Sequence, residues 1–428
     1  MATEPGQTVS PDLHRMNSAE GPKRAGSGLI LAYVFAYLGV WMGALTPLIV
    51  SLPIRVRQVD PQNYVSDLSV ILAVGAFCAM LANPFFGGLS DRTTSRLGMR
   101  RPWLLIGAAA GILSVLTIAA IPSIVAIAIG WCLAQIAANI LLAVTTAILP
   151  DQIPIEQRGR VSGYLSMCVS VAPVFGVYIV EHFVGSPLWM FLVPALIMSG
   201  SCLLLALVLR DRRMAPHEVA PYSLGVFLSS FWVNWLKYPD FSCIWVSRFL
   251  RFISLSLVLS YQVYFVADRL GIATSQVPHI ILIGTLVNAL MGVVGANAAG
   301  FLSDRTKRRK IFLVYGGLIY AVGMLVLAFG QSVSAFYIAI GIAGLGQGAF
   351  VALDFAVVVE VLPDSGKSSA KNLGVFNIAN ALPQSVAPAL APMILNTGGG
   401  RNYAALFMVG ALTAAVGAVL VPLIKKVR

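Results

Sequence analysis

Apolar runs of about 20 residues follow one another along almost the whole chain, separated by short polar or charged breaks. A run of that length crosses the ~30 Å hydrocarbon core of a bilayer as an α-helix rising 1.5 Å per residue. The pattern predicts twelve such helices, at 29–52, 66–88, 102–121, 123–149, 160–181, 188–209, 242–266, 277–300, 311–330, 333–361, 371–396 and 403–424. A membrane barrel would show short alternating strands instead. The expected class is an all-α integral membrane protein that crosses the bilayer many times.

The pattern is also doubled. Leu89-Ser90-Asp91-Arg92-Thr93 recurs as Leu302-Ser303-Asp304-Arg305-Thr306, and Leu149-Pro150-Asp151 recurs as Leu362-Pro363-Asp364, both at an offset of 213 residues. Two motifs at one offset mean that a whole half is repeated. This predicts two pseudo-symmetric six-helix bundles, 28–210 and 241–428. They are joined by a cytoplasmic loop at 211–240 and preceded by a disordered cytoplasmic tail at 1–27. The loop has two open readings: a helix lying on the membrane surface through Tyr222, Phe227, Trp232 and Trp235, or an irregular linker. Repeated halves in a membrane chain are the mark of secondary transporters.

Composition agrees with a lipid solvent: 58% of residues are hydrophobic and 11% charged. The net charge of +12 invites a nucleic-acid reading, but its placement argues otherwise. With both termini in the cytoplasm, all but six of the 29 Lys and Arg fall in cytoplasmic segments. Arg55, Arg57, Arg269 and Arg401 fall outside, and Arg248 and Arg251 lie within a span. That is the positive-inside pattern, with the basic segments meeting anionic membrane lipids. The five Cys sit in or beside apolar spans without metal spacing.

The break after the second run reads Gly87-Gly88-Leu89-Ser90-Asp91-Arg92-Thr93-Thr94-Ser95-Arg96-Leu97-Gly98-Met99-Arg100-Arg101-Pro102. It resembles the loop signature of the major facilitator superfamily. Its finer form is similar to the plant sucrose transporters and to the glycoside–cation symporters typified by the melibiose carrier. In that superfamily the loop is a latch between the bundles. The resemblance implies latch roles for Asp91, Arg92 and Arg101, for Asp304 and Arg305 in the second copy, and for Arg158 in the companion loop Glu156-Gln157-Arg158-Gly159-Arg160, with Lys371 at the matching place in the second half. It also implies coupling carboxylates that this chain lacks. Asn83 and Ala79 stand where melibiose-type carriers have acids, and Gln135 where sucrose carriers have an Asp.

The ionisable groups left within the spans are few. Asp354 and Arg251 fall about 12 and 16 Å into the membrane at 1.5 Å per residue, and each is expected to partner the other. Arg248 lies one turn below Arg251, and Glu360 nearer the inner surface. Asn377, Asn380 and Gln384 share one face of the eleventh helix, Tyr33, Tyr37 and Trp41 one face of the first, and Asn139 lies a turn from Gln135. Amides beside aromatic faces suit a polyhydroxylated ligand; interhelical hydrogen bonding is the plainer alternative.

The expected protein is therefore a monomeric transporter of a small molecule, a sugar or glycoside-like solute, in the cytoplasmic membrane. Proton coupling, where present, would run through Asp354. The rival readings are an exporter of a hydrophobic drug or metabolite, for which Ala172-Pro173-Val174-Phe175-Gly176 is a loose signature, and an uncoupled facilitator. No cluster of His, Cys or carboxylates points to an enzyme, a metal or a cofactor.

Overall fold

The computed structural model describes residues 24–214, 238–361, 369–398 and 400–424, without the side chains at 355, 356, 358–361 and 369–377. The expected tail, except for its last residues, lies outside the described residues, as do most of the central loop and its aromatic residues, the Leu362-Pro363-Asp364 copy, and the side chains of Glu360, Lys371 and Asn377.

Among the described residues are twelve helices long and apolar enough to cross a membrane. They are α1 (Ser27–Val59), α2 (Tyr64–Ser90), α3 (Arg101–Ala120), α4 (Ile124–Gln152), α5 (Ile155–Glu181), α6 (Pro187–Val208), α7 (Pro239–Arg269), α8 (Val277–Thr306), α9 (Arg309–Phe329), α10 (Val333–Val361), α11 (Ser369–Leu395) and α12 (Tyr403–Leu420). Many large apolar side chains on them, such as Leu31, Val125, Phe301 and Met393, are exposed, as a lipid-facing surface requires.

The packing repeats as the sequence does. In the first half α1 packs on α5 and α6, α3 on α4 and α6, and α2 on α4. In the second, α7 packs on α11 and α12, α9 on α10 and α12, and α8 on α10. Each of these contacts in one half thus has its counterpart six helices later. The halves meet through α2 with α11 and α5 with α8, a reciprocal pair. The fold is two pseudo-symmetric six-helix bundles. Within the second, α8 and α10 touch backbone to backbone: a Cβ on Gly348 would lie 1.9 Å from the Gly292 carbonyl oxygen.

Two of the helices that run further than the apolar pattern predicted contain a π-turn. In α1, Pro47 has no amide to bond back to Gly43. The ladder slips at Pro47–Ser51, where Leu52 N–H bonds to the Pro47 carbonyl, and the helix then continues to Val59. Here Arg55, expected in a segment outside the spans, lies on the continued helix and is buried. It donates to the carbonyls of Ile118 (3.2 Å) and Ala119 (2.9 Å) and so caps α3. In α7, the segment Phe265–Arg269 is likewise π-helical, closed by Leu270 N–H on the Phe265 carbonyl. These turns lie towards corresponding ends of the first helix of each half. Such insertions mark places where a helix departs from uniform packing.

Candidate functional site

The functional candidates fall at three depths. One face of the bundle carries both described chain ends, Arg24 and Ile424, and both Asp-Arg copies; it is called the basic face here. The sixteen-residue break lies on it. Helix α2 ends at Ser90, and Asp91 follows as its cap. Gly98 has φ +105°, where a Cβ would fall 2.4 Å from an Asp211 carboxylate oxygen. That close approach lets Asp211 accept the backbone N–H groups of Arg100 (2.6 Å) and Arg101 (2.8 Å) at the start of α3, where a helix favours an anion. The buried Arg100 guanidinium then binds Asp91 (2.6 Å), Asp151 (2.9 Å) and the Ser90 hydroxyl (2.8 Å).

In this arrangement the Asp91 carboxylate meets Arg100 rather than the companion loop. Arg158 turns back onto the carbonyls of Pro150 (2.8 Å) and Ile153 (2.9 Å), leaving Arg100 to meet the carboxylate. Arg101 donates to the Leu209 carbonyl, and Arg92 to that of Gly88 (2.6 Å). In the second copy, Asp304 and Arg305 lie exposed in the last turn of α8. Lys307 ends that helix in the left-handed region, and α9 begins two residues later, so the loop has no room for the Arg100 arrangement. Lys310 instead donates to the Ile424 carbonyl.

At mid-depth, the first half presents neutral groups. Asn83 donates to Asn139 (3.2 Å), and Asn139 donates to the Gln135 carbonyl (2.9 Å). The residue that stands in for an acid is therefore held by another amide. Tyr33, Tyr37 and Trp41 stack edge to face at 6.4 and 6.3 Å. Tyr33 is used internally, donating to the Thr145 carbonyl (2.6 Å). Tyr37 and Trp41 are half-buried, and the Trp41 indole N–H has no hydrogen-bond partner among the described residues.

The second half holds the charges, paired differently from the expectation. Asp354 forms its ion pair with Arg248, which also donates to Asn380. Arg251 donates to Gln347 and lies 3.3 Å from the Tyr320 ring centroid, with Phe350 at 5.5 Å. Three residues on a helix separate the two arginines by about 4.5 Å along the axis and about 60° around it. Arg248 thus faces α10 and α11, while Arg251 sits between α9 and α10. Gln384, exposed, donates to the Asn380 carbonyl (3.1 Å).

The third cluster, on the opposite face, was not foreseen. Asp268 ends α7 with its side chain 3% exposed. It pairs with Arg57 of α1 (2.8 Å) and accepts the hydroxyls of Tyr64 from α2 (2.5 Å) and Tyr403 from α12 (2.7 Å). Arg57 and Arg401 also approach the Tyr64 ring, at 5.1 and 5.6 Å. The turn before Tyr64 is fixed by Asp60, which accepts the N–H groups of Asn63 (2.9 Å) and Gln62 (3.0 Å). The Asn63 backbone N–H, then its side-chain amide, hold the Asp60 carboxyl below the usual carboxylate range. Nearby, Tyr264 donates to the Pro53 carbonyl (3.0 Å), Ser69 meets Tyr261 (2.5 Å), and Glu181 meets His279 (2.7 Å). These contacts from Arg57, Tyr64, Pro53, Ser69 and Glu181 to the second half all lie at this end. The sequence signal was available: one carboxylate closes the seventh apolar run, while Arg57 and Arg401 border two others.

Comparison with known proteins places this geometry. The family model described as Major Facilitator Superfamily matches residues 29–298 and 244–428. Solved structures of the nucleoside transporter NupG and of a bacterial homologue of the human lysosomal transporter Spinster share the fold. NupG has a TM-score of 0.71 over 94% of this chain and 99% of that one at 13% identity; the Spinster homologue has 0.65 over 94% and 96% at 16%. Curated relatives match only in part. The arabinose-proton symporter of Bacillus subtilis (strain 168) is 39% identical over 21% of this chain and 20% of its own length. The general alpha-glucoside permease of Schizosaccharomyces pombe (strain 972 / ATCC 24843) is 26% identical over 34% and 29%. The minor myo-inositol transporter IolF of Bacillus subtilis (strain 168) is 31% identical over 23% and 22%. The chain thus matches less than a third of each of these relatives. With the repeated bundles, the paired Asp-Arg loops and a family match over nearly all of its length, this chain belongs to the major facilitator superfamily.

Proposed function

We propose that the protein is a secondary transporter for a sugar or a sugar-like polyol, working by alternating access, with its basic face in the cytoplasm and residence in the cytoplasmic membrane. The observation that carries the substrate class is the chemistry at mid-depth in the first half. Asn83, Asn139 and Gln135 supply uncharged donors and acceptors, with Tyr37 and the unpartnered indole N–H of Trp41 on the neighbouring α1. Neutral amides beside aromatic faces match hydroxyls and C–H faces, the two surfaces of a pyranose. The partial relatives named for arabinose, alpha-glucoside and inositol support the same class. They extend beyond the sucrose and glycoside–cation carriers, so the proposal is set at sugars and polyols.

Proton coupling forms part of the proposal. Asp354 is buried, and it shares Arg248 with Asn380. A proton on Asp354 would release Arg248 from the ion pair and free it for substrate, linking protonation to the shape of the site. The basic loop and the opposite-face cluster act as the two gates, and the structure is in the arrangement clamped on the opposite face.

Binding tests the class without requiring turnover. A ligand that binds the folded protein raises its melting temperature. Purified protein screened against sugars, polyols and lipophilic drugs should be stabilised by members of the first two groups. Stabilisation by lipophilic compounds alone would replace this reading with that of a hydrophobic exporter.

A further inference from the structure

Two carboxylates make contacts that cross between the halves on the opposite face. The first, at Asp268, is buried. The second is Glu181, the last residue of α5, against Nδ1 of His279, in the first turn of α8. We propose that Glu181 and His279 form a proton-binding site that ties closure of this face to the acidity of the compartment outside it.

The argument starts from the side chains. Imidazole is the group that changes charge in the neutral range. Neutral His279 donates one N–H to Glu181; imidazolium adds a full charge to the same 2.7 Å contact. The two residues stand on α5 and α8, the helices that pack across the halves, so the contact exists while this face is closed. In the closed arrangement an imidazolium at His279 faces the Glu181 carboxylate, and opening separates the two charges. Linkage then requires that protonation favour closure. The side chains are 58% and 25% exposed, so the effect is that of a solvated pair, roughly 1.5- to 5-fold in the closed-to-open ratio.

The surroundings leave this pair distinct. From α5, the neighbouring His182 is engaged through Nδ1 with the Tyr178 carbonyl (2.9 Å) and with the Tyr178 ring. From the end of α7 come Asp268, committed to Arg57, and the exposed Arg269. The described ends of α9 and α10 on this face, and the 270–276 turn, bring no charged side chain. The site rests on reading this face as a gate; the identity of the cargo does not enter.

The test is a distance measurement that needs no substrate. Spin labels go on Gly185→Cys, where a Cβ meets nothing within 4 Å, and on the exposed Thr274→Cys, after replacement of the five native cysteines. Pulsed dipolar distances are recorded between pH 8 and pH 5. They are taken in this parent and also with Asp268→Asn, where loss of the stronger tie brings both states into range. The short-distance population should rise by roughly 1.5- to 5-fold relative to the long one as pH falls. Glu181→Gln and His279→Gln should each abolish that response, and His182→Gln should keep it. A ratio that ignores pH in both backgrounds, or a response that survives both Glu181→Gln and His279→Gln, would overturn the site.

Discussion

The hydroxyl of Tyr64 at the start of α2 donates to the Asp268 carboxylate at the end of α7 across 2.5 Å, so one buried charge is shared between the two halves. Arg57 supplies the opposite charge from the first half, and Tyr403 a second hydroxyl from the second. Hydrogen bonds to a charged group contribute about 1.5–3 kcal/mol each. Opening this face must break those made by Arg57 and Tyr64 together, while Tyr403 stays with Asp268. That makes Asp268 the residue on which closure of this face depends most.

Asp268→Asn should accordingly shift the balance towards opening by at least about 10-fold, the equivalent of one such bond. Ser69, 2% exposed and 2.5 Å from Tyr261 across the same seam, is the reporter. Ser69→Cys in a cysteine-free background should react faster with an impermeant maleimide once Asp268 is neutralised. Tyr403→Phe, which leaves the cross-half bonds in place, should change the rate by less. An unchanged rate in Asp268→Asn would remove the clamp from the account.

The buried charges of the second half make a prediction about pairing. Removing one member of a buried pair leaves the other uncompensated, at a cost of about 3–5 kcal/mol. Arg248→Gln and Asp354→Asn should each lower thermal stability in detergent strongly, and the double variant should recover much of the loss. Arg251→Gln combined with Asp354→Asn should show no such recovery, because Arg251 is held by Gln347, Tyr320 and Phe350. Additive losses for the Arg248–Asp354 combination would show that the pair contributes nothing as a pair.

The helices and the doubling were legible because they are properties of periodicity and offset. Apolar length sets the spans, and two motifs at one offset set the symmetry. Partner choice was less legible. Sequence depth places Arg251 and Asp354 at similar levels, yet angle around the helix decides the contact, and it gave Asp354 to Arg248. Around Asp91, too, the contacts of this arrangement come from folding: Arg100 meets the carboxylate, while the Arg158 guanidinium is taken up by carbonyls at the end of α4. The Asp268 cluster escaped notice because its members stand on α1, α2, α7 and α12, far apart in sequence and adjacent only after folding.

On the basic face, Arg100 should matter more than Arg158. Arg100→Gln leaves Asp91 and Asp151 facing each other without their shared cation. A loss of about 2–3 kcal/mol in stability and at least a 10-fold fall in transport is expected. Asp91→Asn should reduce transport while leaving folding near normal, and Arg158→Gln should stay within about 2-fold, the range of surface substitutions. Gly98→Ala should destabilise as well, since φ +105° and the Asp211 carboxylate both exclude a Cβ. Equal effects of Arg100→Gln and Arg158→Gln would place the loop's critical cation elsewhere.

The Asn83–Asn139 hydrogen bond gives a prediction about ions. Two amides at 3.2 Å offer no carboxylate to a sodium ion at that position. Uptake should be the same in sodium and in potassium or choline buffers. Sodium stimulation that persists in Asp354→Asn would reveal a cation site outside both clusters.

Uptake of radiolabelled sugars and polyols into proteoliposomes, with and without an imposed pH gradient, tests the central claim most directly. The account predicts saturable entry of at least one sugar or polyol, accumulation driven by an inward proton gradient, and downhill entry only in Asp354→Asn. Absence of sugar and polyol flux in vesicles that move a lipophilic compound would contradict the substrate class, and gradient-driven accumulation that survives Asp354→Asn would contradict the coupling site.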